Sequence, residues 1–219
     1  MEVLNLLEKG PIPYLEGDKI QRQVHAEVAA GQRPDTLILQ EFEPTWTAGR
    51  RTKPQDIPDS SLPVIEMDRG GSVTWHGPGQ LVCYPIVLMR EPIDVVRFVR
   101  DMESGIRGAI EGTWQVKTDI VKGRSGVWIL REGMIDRKIC AIGVRTAQGT
   151  SMHGLALNVN PDLESGFGRI IPCGLADASV TSLAEMGVET TLQQVANALV
   201  PHLETALRRS QRVNNVHNS

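Results

Sequence analysis

Apolar and polar positions follow two rhythms along this chain. Over residues 94–110, Val95, Val96, Phe98, Val99, Met102, Ile106 and Ala109 recur at helical spacing, and Gly112 stands just beyond, where a helix would stop. A second helix is predicted over 192–208, with Thr191 and Gln194 as a capping box and Pro201 kinking or dividing it. A shorter one is predicted over 20–30, stopped by Gly31. Short apolar runs predict strands over 37–42, 64–67, 81–88, 126–130, 138–144 and 153–159. Residues 43–63 read as loop, because Pro44, Gly49, Pro54, Pro58 and Pro63 interrupt them. Strands dominate the middle without strict alternation with helices, which predicts an α+β fold rather than a doubly wound one. No linker divides the chain. The pattern predicts one domain over 1–210 and a polar tail over 211–219.

Composition narrows the classes. With 41% hydrophobic and 22% charged residues, 219 residues suffice for a buried core without cross-links. A net charge of -3 argues against a nucleic-acid partner. The longest apolar run, 81–89, is too short to span a membrane as a helix. The first ten residues lack the basic start and apolar stretch of a secretory leader, so a cytoplasmic location is expected. The three cysteines, Cys83, Cys140 and Cys173, show no CxxC spacing, and no HExxH or His-x-His pattern occurs, so no metal is expected.

Three segments concentrate polar chemistry. Residues 69–80 (RGGSVTWHGPGQ) hold four glycines just before an apolar strand. Taken alone they form either a tight turn or a loop whose backbone can approach a ligand closely. Lys138 opens an apolar strand; it is either solvated, as most lysines are, or turned into a cleft where its charge would favour a thiolate. Cys173 lies between Pro172 and Gly174, outside any periodic element, whereas Cys83 and Cys140 lie inside predicted strands. That setting leaves Cys173 either a cleft-facing nucleophile or an unreactive loop thiol.

Four blocks in this order resemble the lipoyl(octanoyl) transferase family. They are TAGRR (47–51), RGGSVTWHGPGQLVCYP (69–85), KICAIGVR (138–145), and HGLALNVN (153–160) with PCG (172–174); Val180-Thr181-Ser182-Leu183 also fits. The resemblance implies the fold of biotin and lipoate protein ligases: one α+β domain with a mixed sheet, a smaller second sheet and flanking helices. It implies Cys173 as the acylated nucleophile and Lys138 as its activating partner. It lays the acyl chain against Arg69, Gly70, Gly71, Ser72, Val73, Thr74, Trp75 and His76, against Ala141, Ile142 and Gly143, and against Gly154, Leu155 and Ala156. The apolar wall of that slot would come from Val73, Trp75, Ile142, Leu155 and Leu157, each of which reads equally as core. The implied donor is octanoyl-acyl carrier protein. The implied acceptors are lipoyl domains of 2-oxoacid dehydrogenase E2 subunits and the glycine cleavage H protein. Neither a metal nor ATP is needed, because a thioester is already activated. Arg50, Arg51, Lys53 and Arg69 would offer acidic protein partners a basic rim.

The chain departs from the family pattern twice. Phe42 stands where a histidine is usual, and Cys140 where a small residue is usual, which makes Cys140 a rival thiol. Two other functions remain compatible with the residues: an ATP-dependent ligase of the same fold, and a carrier-binding module without catalysis.

Overall fold

The apolar run at 81–88 becomes the middle of the molecule. The computed structural model describes residues 1–171 and 177–212. The strands in chain order are β1 (Glu2–Asn5), β2 (Thr36–Gln40), β3 (Thr45–Ala48), β4 (Val64–Glu66), β5 (Thr74–His76), β6 (Gln80–Ile86), β7 (Asp119–Val121), β8 (Arg124–Ile129), β9 (Asp136–Ala147), β10 (Thr150–Asn158) and β11 (Ala178–Val180). The helices are α1 (Tyr14–Ala29), α2 (Val95–Trp114), α3 (Leu163–Phe167) and α4 (Leu192–Leu207). Among the described residues the large sheet runs β1-β2-β6-β10-β9-β8-β7, with β11 parallel to the start of β9, and the small sheet runs β4-β3-β5. The expected α+β domain with two sheets is the fold observed.

Every residue of β6 and β10 is buried, because both sheet faces are covered. On one face α2 and α4 close a core that includes Phe98, Met102, Ile106, Leu199 and Leu203. On the other, α1 packs Tyr14, Val24 and Val28 against Ile38, Val82 and Tyr84. Burying each large apolar side chain contributes roughly 1.5–3 kcal/mol.

Several boundaries differ from the pattern, each for a local reason. α1 begins at Tyr14 rather than 20. Gly17 lies inside it: a Cβ there would lie 2.5 Å from the Phe42 ring, so close packing of the helix on the sheet requires glycine. α2 continues past Gly112 to end at the left-handed Gln115. Gly112 is exposed, with nothing near its missing Cβ, and signals no stop. α4 runs undivided through Pro201, and its capping box is present at Thr191 and Gln194. The stretch 43–63 is not all loop: it contains β3 and a turn of 3-10 helix at Pro54–Asp56. Pairing with β4 and β5 supplies the stability that local propensity lacks there. Within the expected tail, Gln211 bridges Met89 and donates to Asp35 at 2.7 Å, and Arg212 N–H donates to Leu88 at 2.9 Å. No helix among the described residues is long and apolar enough to cross a membrane.

Candidate active site

Glycines bring two distant segments together. Gly70 N–H donates to the Val144 carbonyl at 3.0 Å, which lays the 69–71 turn on β9. A Cβ on Gly143 would approach the Gly70 carbonyl oxygen to 2.8 Å, so the backbones meet only because Gly143 has no side chain. Gly154 does the same between β10 and β6, where a Cβ would sit 2.3 Å from the Cys83 carbonyl oxygen.

Arg69 braces this turn. It is buried, and its guanidinium donates to the Thr47 carbonyl and hydroxyl at 2.8 Å each, to the Ser72 carbonyl at 2.8 Å and to the Gly70 carbonyl at 3.0 Å. Expected as part of a surface rim, it instead clamps the loop to β3. Arg50, Arg51 and Lys53 are exposed as expected, and Arg51 and Lys53 stand at the cavity.

Between these elements lies a cavity of about 470 Å³. Arg69, Gly70, Gly71, Ser72, Val73, Thr74 and His76 line it from one side. Ala141, Ile142, Gly143, Gly154, Leu155 and Ala156 line it from β9 and β10, and Lys138 joins them. Trp75 does not. Strand alternation sends Thr74 and His76 one way and Trp75 the other, into a cluster with Phe167, whose ring it meets edge-on at 5.6 Å. Leu157 also leaves the wall, packing in the core with α2 and α4. Pattern reading missed Tyr84, His153 and the turn into β8, with Gly123, Arg124 and Ser125, as lining residues. Alternation along β6 could have pointed to Tyr84, whereas nothing local marks the turn.

Lys138 is only 6% exposed, and its Nζ stands 4.6 Å from the centre of the Trp128 ring. A cation over an indole face is stabilised by the ring's quadrupole. The partner thiol expected for it, Cys173, lies in 172–176, outside the described residues. The flanking residues are described. Ile171 lines the cavity and donates its N–H to Asp56 at 2.9 Å, while Asp177 is ion-paired to Arg124 on the cavity wall. Just beyond, Val180 lies opposite Lys138 in register, and Thr181 N–H donates to the Lys138 carbonyl at 2.9 Å.

The rival thiol can be judged directly. Cys140 and Cys83 are fully buried in the core, and burial pushes both thiols up, far from thiolate formation at neutral pH. Neither lines the cavity.

Two buried histidines border the cavity, and burial disfavours the charged form of both. Burial, then the Arg69 charge, lowers His76 to about 3. His153, at a left-handed φ of 58°, donates its backbone N–H to Gln21 at 2.8 Å and places Nε2 2.9 Å from Asp68. Burial and the neighbouring guanidiniums push its ring down as well. Phe42, where the resemblance expects histidine, closes an aromatic box with Tyr14 at 4.8 Å, His76 at 5.7 Å and Tyr84 at 6.4 Å. Among the described residues no cluster of three His, Cys, Asp or Glu is placed to hold a metal ion.

The chain that builds this cavity is similar to known proteins over most of its length. Residues 13–204 match the family model of the lipoyl protein ligase A/B catalytic domain. An octanoyltransferase of Thermobifida fusca (strain YX) is 49% identical over 207 residues, covering 92% of this chain and 87% of its own. One of Acidothermus cellulolyticus (strain ATCC 43068 / DSM 8971 / 11B) is 51% identical over 195 residues, covering 89% and 87%. A solved bi-partite lipoate protein ligase from Thermoplasma acidophilum shares the fold at a TM-score of 0.67 and 14% identity, over 94% of this chain and 83% of that one. A lipoate-protein ligase A bound with ATP superposes at 0.64 with 15% identity, over 97% and 88%. By the extent of these matches, the chain belongs to the lipoyl protein ligase A/B catalytic-domain family.

Proposed function

We propose that this protein is an octanoyltransferase that moves an octanoyl group from octanoyl-acyl carrier protein to a lysine of lipoyl domains, through a thioester on Cys173. The acceptors are the lipoyl domains of 2-oxoacid dehydrogenase E2 subunits and the glycine cleavage H protein, and the setting is the cytoplasm. The observation that carries the reading is the cavity itself. A chain about half identical to octanoyltransferases encloses a slot lined by Val73, Ile142, Leu155 and Ala156, with a buried lysine among the lining residues.

In the first step the Cys173 thiolate attacks the acyl carbonyl. A carbon–sulfur bond to Cys173 forms, the bond to the donor arm breaks, and the arm leaves as a thiolate that takes a proton. In the second step the acceptor amine attacks, the carbon–nitrogen bond forms, and the bond to Cys173 breaks. One amine proton returns to the cysteine sulfur by way of Lys138. Exchange of thioesters is near-neutral and amide formation is downhill, so no nucleotide is required. An unperturbed thiol is only a few per cent ionised at pH 7. The Lys138 charge raises that fraction. Support comes from Ile171 and Asp177, the described residues either side of Cys173's segment, which both join the cavity wall or its ion pairs.

The test omits ATP. Purified protein, octanoyl-acyl carrier protein and a lipoyl domain should yield an octanoylated lysine. Modification that occurs only with free octanoate and ATP would make the protein a ligase instead.

A further inference from the structure

Among the described residues, one ring nitrogen of His76 has no hydrogen-bond partner. Its ring lines the cavity and is 5% exposed. Nδ1 lies 2.8 Å from Gln80 Oε1. The direction of that bond is set two residues away. Asn158 Nδ2 donates to the Thr181 carbonyl at 2.9 Å, and a carbonyl can only accept. Asn158 therefore turns Oδ1 to Gln80, whose Nε2 donates to it at 2.9 Å and also reaches the Trp75 carbonyl at 3.3 Å. Gln80 is left presenting its oxygen to the ring, so Nδ1 carries the ring proton and Nε2 holds a bare lone pair. Nε2 makes no hydrogen bond to any described residue. Tyr14, stacked at 5.5 Å, and Phe42, edge-on at 5.7 Å, hold the ring plane. The same run of bonds ends on the strand of Lys138, through Thr181 N–H.

We propose that His76 Nε2 accepts an N–H of the attacking lysine amine and turns the amine's lone pair toward the acyl carbonyl. This rests on the transfer reaction proposed above. An amine attacks only when neutral and with its lone pair free. An acceptor on one of its N–H groups leaves that lone pair available. The other tautomer, with a proton on Nε2, would donate to the lone pair and block attack, and the Gln80–Asn158 pair excludes it. A thioester carbonyl brings only acceptor oxygen, which a bare nitrogen repels. The ring stays neutral at physiological pH, since burial and Arg69 hold it at about 3. It thus orients the amine without keeping its proton, which still leaves with the cysteine sulfur.

The two half-reactions separate this role from others. Intact mass follows octanoyl loading of the protein, and then loss of that octanoyl to a lipoyl domain, in wild type, His76→Phe, His76→Gln and Gln80→Leu. Losing a hydrogen bond to a buried polar group costs on the order of 1–3 kcal/mol, so the ratio of transfer to loading should fall about tenfold to a hundredfold in His76→Phe. His76→Gln, which can offer an oxygen, should recover part of that loss, and Gln80→Leu should fall between. Equal slowing of both half-reactions, or slowing of loading alone through contact with the donor arm, overturns the assignment. A wild-type protein that never carries octanoyl overturns the transfer reading itself.

Discussion

The ammonium of Lys138 sits 4.6 Å above the Trp128 ring, inside the wall of the cavity. The indole is fixed by its own N–H, which donates to the Arg124 carbonyl at 3.2 Å. Gly126, at φ 121°, lets β8 lie close against β9, since an added Cβ would sit 2.4 Å from the Cys140 carbonyl oxygen. The strand pair β8–β9 thus brings the lysine to the cavity wall beside Ala141 and Ile142.

Removing that charge while keeping its bulk should disable the thiol. Lys138→Met is expected to lower octanoyl transfer about a hundredfold or more, the scale of a lost acid–base group. Because Cys83 and Cys140 are buried with thiols pushed up, iodoacetamide labelling of native protein reports Cys173. The labelling profile should move to higher pH in the variant. An unchanged profile would remove the activating role.

The slot should measure its acyl chain. Ala156 lines it from β10. Ala156→Leu shortens the space, and each excluded methylene forfeits roughly 0.8 kcal/mol, a three- to fourfold change. Competition between octanoyl and hexanoyl donors, read by mass of the product, should shift at least about tenfold toward hexanoyl for two methylenes. An unchanged ratio would put the acyl chain elsewhere.

Much of this arrangement is legible in the sequence, and the rest is hidden for identifiable reasons. The spacing of Phe98, Met102 and Ile106 gives away α2, because a buried helical face must repeat that way. Gly70 in the 69–80 segment is informative because its backbone meets β9. Trp75 misleads: one step of strand alternation decides whether it faces the slot or Phe167, and β5 is held by pairing rather than propensity. The start of α1 is hidden too, since the reason for Gly17 within it is the ring of Phe42, distant in sequence. His153 as a cavity residue, with its Asp68 and Gln21 partners, is a product of tertiary packing alone.

Acid should destabilise the fold partly through His76. The unfolded ring has a pKa near 6.5, and the folded one about 3. Between those values the unfolded chain binds a proton that the folded chain refuses, so stability falls as pH falls through 6.5. For one such group the loss from pH 7 to pH 5 is about 2 kcal/mol. Urea unfolding at both pH values should show His76→Gln losing less than wild type by about that amount. Equal losses would mean the ring is charged or exposed in the fold.

The basic rim should act on encounter rather than on chemistry. Arg51 and Lys53 are exposed at the cavity and have no ion pair among the described residues. Reversing both to glutamate should lower kcat/KM for an acidic carrier-protein donor about tenfold at low salt, and less as salt rises. A small-molecule octanoyl thioester should be affected far less. Equal effects on both donors would indicate damage to the cavity instead.

The central claim is a covalent octanoyl group on one particular sulfur. Mixing the protein with octanoyl-acyl carrier protein, omitting acceptor, and mapping the added mass by peptide analysis tests it most directly. The account predicts a single thioester on Cys173, lost in Cys173→Ser and released by addition of a lipoyl domain. An adduct on Cys140, or continued lysine octanoylation by Cys173→Ser with no adduct at all, would contradict it.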